Sequence, residues 1–396
     1  MSVHVVCNAA AGQQNAESVL KEYVHKYLDA WKAADRTRVA PTYHSTDPTH
    51  GAKQIGAALA REKAPLTLVV LGGDGTVHEA LDGMQSVSIP SEIFLVIVPT
   101  GTANAMYHAL FGTHPGGYAA TDPRWRLCAL QAFAASKSTQ PLSLMRVTMG
   151  DTHLSCVVTS HALHAAILRD SESLRASHPG IERFKMAAEQ NMVRWTEGEL
   201  VLEPGTEPVQ RYCPSKHTFV PVAALGDYQA DQHGTLRIQG PFVYLTAMVV
   251  DRLEAAFVPA PFAGPRCEAA LRRPSDMVDI VVLRPLRSPV VQKAIAQGDP
   301  MDKIHEMYAQ GPLAEVFFEG MYKDGAHVSF AYDGDEDVAG EQAGMPVVEY
   351  FRAAAYAWRP APTDPSATTT CVDGTIFHAD ATSVQVWEGA YVHAWC

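Results

Sequence analysis

The first third of the chain alternates between short unbroken apolar runs and longer segments of helical period. Val3–Cys7 is a strand-like run. Residues 15–31 place Val19, Leu20, Tyr23, Val24, Tyr27, Leu28 and Trp31 on one stripe, the spacing of an amphipathic helix. Pro41–Ser45 reads as a short strand and residues 49–63 as a second helix. Leu66–Leu71 and Ile93–Val98 are continuously apolar, and each leads through a glycine turn into a helical segment, residues 77–84 and Ala103–Leu110. Apolar strands without alternation, set between helices, predict a parallel sheet covered on both faces.

After about residue 141 the pattern changes. Leu142–Met149, Leu154–Ser160, Phe242–Val249, Val278–Leu283, Val347–Trp358 and Val384–Trp387 are strand-like and separated by turn-rich stretches, which predicts a β-sandwich. Residues 203–217 and 332–346 read as loops. Residues 359–371, rich in Pro, Thr and Ala, read as an exposed connection. The expected fold is therefore α/β plus β: an α/β domain over residues 1–141 and a β-sandwich over 142–383.

The chain has 396 residues and a formal net charge of −12, which argues against nucleic acid as a partner. A local basic stretch is formed by Arg266, Arg272, Arg273, Arg284 and Arg287. No basic leader precedes the first strand, and the longest apolar runs are too short to span a bilayer. The 7 cysteines show no paired spacing, so the expected setting is the reducing cytosol, with neither a disulfide framework nor a zinc site.

The sharpest chemical signal is Gly72-Gly73-Asp74-Gly75-Thr76 between a buried strand and a helix. Glycines let backbone amides approach a phosphate, and a helix start adds unpaired N–H groups. Asp74 would repel that phosphate unless it binds a cation or takes a proton from an attacking hydroxyl. Alone, the segment could equally be a tight turn with an Asp helix cap. A second loop of the same kind, Pro99-Thr100-Gly101-Thr102-Ala103-Asn104, follows the next buried strand. Two such loops put two helix starts on one sheet edge, where open α/β sheets bind ligands.

The two loops together resemble the catalytic domain of diacylglycerol, ceramide and sphingosine kinases, with the sphingosine/ceramide branch nearest. Asn8 and Gly12 stand where that family has a loop after its first strand, Thr46 where it has a nucleotide-contacting threonine, and Glu79 at its spacing from Asp74. Downstream, Asp170-Ser171-Glu172-Ser173-Leu174-Arg175, Arg183-Phe184 and Asp373-Gly374 fit the same layout. The resemblance implies an ATP- and Mg2+-dependent lipid kinase in which the last strand, within 384–396, returns to the first domain. Asp74 would be the catalytic base. Nucleotide contacts would come from Asn8, Gly12, Thr46, Gly72, Gly73, Gly75, Thr76, Glu79, Thr100, Gly101, Thr102, Asn104, Arg175, Arg183, Asp373 and Gly374. Asp170 and Glu172 would face the acceptor. Magnesium would come with ATP, with Asp74 as its protein contact. The partners implied are a lipid substrate and a membrane touched peripherally.

Four positions depart from the family pattern. Ala9 replaces a proline, and Thr375 replaces the acid of an Asp-Gly-Glu motif. Ala166 and Leu168 stand where sphingosine kinases carry aspartates that recognise the acceptor head. A neutral acceptor such as a diacylglycerol or a ceramide-like lipid is thus as well matched as a sphingoid base. Two other functions are open: an NAD kinase-like small-molecule kinase, which shares Gly-Gly-Asp-Gly-Thr but not the features of the second loop and β-rich half that favour lipid, and a pseudokinase that binds lipid or nucleotide as an adaptor. For His153, His161 and His164, near the expected acceptor site, ordinary hydrogen-bonded histidines are the simpler reading. Phe184, Met186, Met192, Leu245, Met248 and Phe257 are the residues expected to line a lipid slot.

Overall fold

In the computed structural model, residues 2–396 are described except 48, 63–64, 88–91, 113–114, 179, 223–227, 229, 266, 334–335, 340–344 and 389–390. The α/β half is built on a six-stranded sheet in the order Thr42–Ser45, Ser2–Cys7, Leu66–Gly72, Glu92–Pro99, Tyr391–Trp395, Thr139–Pro141. The first five strands run parallel, and Thr139–Pro141 pairs antiparallel with the C-terminal strand. Leu66–Gly72 is buried along its whole length, which explains its unbroken apolar sequence: both faces are covered by helices. Only Tyr391–Trp395 of the expected returning segment joins this sheet. Thr382–Val386 pairs instead with Ala355–Pro360 and Met145–Met149 in the second half.

The second half contains an eight-stranded and a six-stranded sheet, both antiparallel. Their facing side chains close one apolar core: Leu245, Ile280, Val282 and Phe351 from the larger sheet meet Leu200, Leu202, Tyr356, Trp358 and Val384 from the smaller. Together the parallel-sheet α/β domain and the antiparallel sandwich make the α/β plus β fold that the hydrophobic pattern predicts.

Several local expectations are corrected. Residues 359–371 are not an exposed connection. They hold the end of strand Ala355–Pro360 and the buried strand Thr369–Val372, and the Trp358 indole donates to Ala367 O at 2.9 Å. Residues 203–217 include the strand Gln210–Cys213. The run Val347–Trp358 is two strands, Glu349–Ala353 and Ala355–Pro360, in different sheets. Helices Ala162–Ser173, Glu182–Asn191, Pro289–Ala296 and Met301–Tyr308 interrupt the β pattern. The expected lipid slot does not form as one lining. Leu245 belongs to the core between the sheets, whereas Met248 joins the separate cluster shared with the α/β half. The basic stretch is not an exposed patch either. Arg273 pairs with Asp279 at 2.9 Å, and Arg284 and Arg287 pair with Glu349 at 2.8 and 3.4 Å, both carboxylates being fully buried. Arg266 lies outside the described residues.

Helices Ala52–Leu59 and Asp74–Gln85 touch backbone to backbone. A Cβ on Gly56 would lie 2.0 Å from Ala80 O, and one on Gly83 would lie 2.0 Å from Lys53 O. Neither clash can be relieved by a side-chain rotation, so this pair of glycines sets the separation of the two helices. Gly56→Ala is expected to lower the unfolding free energy by about 1–3 kcal/mol, the usual range for overpacking, measured by urea denaturation. An unchanged midpoint would mean that the helices separate freely.

Candidate active site

Strands Leu66–Gly72 and Glu92–Pro99 end in register, with Gly72 opposite Pro99. Both glycine loops therefore leave the same sheet edge and lie against each other. Gly72 O accepts from Thr100 N at 3.0 Å and from Gly101 N at 3.2 Å. A Cβ on Gly101 would lie 2.3 Å from Gly73 Cα, and one on Gly12 would lie 2.3 Å from Thr100 O. Gly12 also has a φ of +51°, a left-handed conformation that favours glycine. Three loops thus nest together because glycines stand at their contacts.

Polar side chains tie the same three loops. Asn8 donates to Thr76 Oγ1 at 2.9 Å and accepts from Thr46 Oγ1 at 3.2 Å. Asn104 adopts a left-handed φ of 53°; its Oδ1 accepts from Gly101 N, and its Nδ2 donates to Gly101 O, both at 3.0 Å. Thr100 is buried and its Oγ1 has no hydrogen-bond partner among the described residues. Thr102 lies in the bend of the second loop, partly exposed.

Asp74 opens the helix Asp74–Gln85 and at the same time caps the next one. Its Oδ2 accepts from Ala105 N at 2.8 Å and its Oδ1 from Met106 N at 2.9 Å, the first amides of helix Ala105–Phe111. Burial pushes the Asp74 carboxyl above the usual carboxylate range. The two amides oppose that shift, and the charge of Asp373 adds to it. A carboxylate so placed is a stronger proton acceptor than a free aspartate.

Beside the loops lies a cavity of about 370 Å³, lined by Asp47, Thr49, Gly51, Lys53, Gln54, His78, Glu79, Asp82, Thr375 and Phe377. Glu79, placed at the nucleotide by resemblance, is on this wall. Burial raises its carboxyl, with His78, the Ala52 amide and Lys53 opposing. Sequence reasoning missed Lys53, His78 and Asp82. Their spacing on two helices is legible, but the helix pairing that joins them is not.

Asp373 lies beside the first glycine loop, its backbone O 3.6 Å from where a Cβ on Gly75 would sit. Its carboxylate is fully buried and accepts from Ser155 Oγ at 2.9 Å and from the amides of Cys156, Val157 and Val158 at 2.6, 3.0 and 2.7 Å. Asp373 and Gly374 have φ values of 47° and 96° and form the two-residue link of the hairpin Thr369–Val372/Thr375–His378. That is the Asp-Gly signature of a tight hairpin turn, so a structural demand explains the dipeptide.

The remaining predicted residues gather on helices Ala162–Ser173 and Glu182–Asn191 and the segment between them. Glu172 and Arg175 are exposed and pair at 3.3 Å. Asp170 is engaged by Arg169 at 2.6 and 3.0 Å and by Asn191 at 2.9 Å. Arg183 is buried against the Phe184 ring, with no hydrogen-bond partner for Nε and Nη1 among the described residues. Burial and the neighbouring Arg175 lower its proton affinity, with Glu172 opposing. Of the three histidines weighed for chemistry, His161 is internal to the sandwich, bonded to Tyr356 and Thr370. His164 meets Ser160 Oγ at 2.6 Å, and His153 meets Asp82 at 3.2 Å.

Asn104→Ala removes both bonds to Gly101 and leaves a non-glycine residue in the left-handed region without its local support. The expected loss is about 1–3 kcal/mol in unfolding free energy, read by thermal or urea denaturation. Asn104→Gly, which keeps the backbone conformation, should lose less. Equal losses would contradict a conformational role.

Residues 2–144 match the diacylglycerol kinase catalytic domain. No curated protein matches the chain. Among solved structures, a putative diacylglycerol kinase from Bacillus anthracis str. Sterne superposes with a TM-score of 0.55 at 14% identity, covering 99% of this chain and 94% of the other. A structure described as a diacylglycerol kinase from the same organism gives 0.51 at 12% identity, covering 99% and 96%. A further putative diacylglycerol kinase from it gives 0.53 at 13%, with coverage of 99% and 96%. At these identities the structures establish the common fold, and the similarity to the diacylglycerol kinase catalytic domain is confined to residues 2–144, which hold the parallel-sheet strands with their glycine loops.

Proposed function

We propose that the chain is an ATP-dependent lipid kinase that phosphorylates the hydroxyl of a neutral acceptor, of the diacylglycerol or ceramide-like class. The observation that carries this reading is the convergence of two glycine loops and two helix starts on Asp74. The site fits a nucleotide triphosphate: the glycines bring the loops together backbone to backbone beside two helix starts, and Thr100 Oγ1 is unpartnered among the described residues. The Gly72–Thr76 and Thr100–Asn104 loops would hold the phosphates, with Asn8, Gly12 and Thr46 steadying them. The cavity that Glu79 and Lys53 line would hold the nucleoside. ATP would supply the phosphoryl group, and magnesium bound with it would offset its charge.

Asp74 would take the proton of the acceptor hydroxyl. Its two amide bonds hold the carboxylate in place, and its raised proton affinity brings it nearer to working pH. The neutral acceptor follows from helix Ala162–Ser173. Ala165, Ala166, Ile167 and Leu168 offer no carboxylate, and that of Asp170 is already shared by Arg169 and Asn191. His164 is held uncharged by burial, at about 4. A cationic head group beside Ala165–Leu168 would meet no free carboxylate, since Glu172, further along the helix, is paired with Arg175 at 3.3 Å. Contact with the membrane would be peripheral, since no helix among the described residues is long and apolar enough to cross one.

Labelled phosphate transfer from ATP with magnesium, over diacylglycerol, ceramide, sphingoid bases and NAD, tests the reading. Transfer to a neutral lipid is expected, falling by about 10²–10⁴-fold in Asp74→Asn. Preference for a sphingoid base would overturn the neutral-acceptor assignment, and preference for NAD the lipid one. ATP binding without transfer to any acceptor would replace the kinase by a nucleotide-binding adaptor.

A further inference from the structure

Asp74, His78 and Asp82 follow one another at four-residue steps on helix Asp74–Gln85 and so share one side of it. The outer two have partners described by ordinary capping and pairing. Asp82 accepts from Lys53 Nζ at 2.8 Å and from Leu154 N at 3.1 Å, and it meets His153 Nδ1 at 3.2 Å. The middle residue is the unusual one. His78 is 3% exposed. Its Nδ1 donates to Leu154 O at 2.7 Å and lies 3.4 Å from Asp373 Oδ2.

Leu154 and Asp373 both belong to the second half. His78 therefore joins the helix that starts at the phosphate loop to the strand Asp151–Ser155 and to the Asp373-Gly374 turn. Asp373 has no freedom to follow another partner, because three amides and a hydroxyl fix its carboxylate. We propose that His78 is a positioning residue whose proton clasps the phosphate-loop helix to the second half, so that alkaline pH loosens the site.

The charges around the ring favour this. Asp373 faces it from the turn, and Asp82, Glu79 and the more distant Asp74 lie on its own helix. Lys53 comes from helix Ala52–Leu59, His153 from strand Asp151–Ser155, and the buried thiol of Cys156 follows that strand. Carboxylates outnumber the permanent cation. Burial alone would drive the proton off His78, but the hydrogen bond and charge of Asp373, then the charge of Asp82, hold it above the usual 6.5. The same pairing helps hold Asp373 below the usual carboxylate range, with the Cys156 and Val158 amides adding to it and burial opposing. Because the folded value for His78 is the higher one, the stabilisation is complete below the unfolded value. It is lost as pH rises through the folded value. Deprotonation leaves Nδ1–H on Leu154 O and removes only the charge that faces Asp373 and Asp82.

Three measurements on the full chain test the clasp. With 13C-labelled histidine, the NMR resonance that disappears in His78→Gln should titrate above pH 6.5. Across that titration the thermal midpoint of the wild type should fall by several degrees, a step absent from His78→Gln. For phosphate transfer, which rests on the kinase reading, kcat of the wild type should fall at least fivefold over the same interval. His78→Gln should be slow and flat there. A titration at or below 6.5, or a midpoint with no step, overturns the proposal. If His78→Gln fails to fold, Asp373→Asn decides: one histidine resonance that titrates above pH 6.5 in the wild type should move to lower pH, and a set of histidine titrations in which none moves overturns the clasp. Absence of transfer at every pH would count against the kinase reading, while resonance and melting would still decide the clasp.

Discussion

The structure turns on one carboxylate placed between two helix starts. Asp74 occupies the first turn of helix Asp74–Gln85 and accepts the first amides of helix Ala105–Phe111. This bond pair can form only if the two preceding strands end level and the loops lie in contact, which the parallel register and the Gly73–Gly101 contact provide. The same placement removes Asp74 from water and raises its proton affinity. Loop packing and the proposed base chemistry thus have one physical origin.

The second half is attached to that centre by charge as well as by apolar packing. A shared cluster runs from the parallel sheet through Leu154, Val158 and Met248 to Phe317. Polar groups set the register across it: His78 and Asp82 from the helix, Leu154 and Asp373 from the sandwich side. Burying so many ionised groups is costly unless each is paired, and here each carboxylate has at least three partners. The cavity with Glu79 and Lys53 in its wall lies beside this array, so the proposed nucleoside site borders the joint.

Much of the α/β half was legible from the chain because its signals are local. Continuous apolar runs marked the buried strands, and glycines directly after them marked the loops. Asn8, Thr46 and Thr76, singled out through the resemblance, are joined by hydrogen bonds beside those loops, and Asn104 closes the second loop on Gly101. The carboxylate partners of Asp373, residues 155–158, were not legible because they lie more than two hundred positions away. The local meaning of Asp-Gly, a hairpin turn, was available. Residues 359–371 read as a loop on composition, yet tertiary pairing with strand Val158–His161 buries Thr369–Val372. The sandwich helices were missed because they are short, 8 to 12 residues each, and lie between strand-like runs in a segment whose pattern reads as β.

The central claim is that the two glycine loops around Asp74 form one phosphate site. A crystal structure with magnesium and a non-hydrolysable ATP analogue addresses it most directly. The account predicts the phosphates against the amides of Gly73–Gly75 and Thr102–Asn104, with the nucleoside in the cavity that Glu79 and Lys53 line. An analogue bound elsewhere, with these loops left empty, would contradict it.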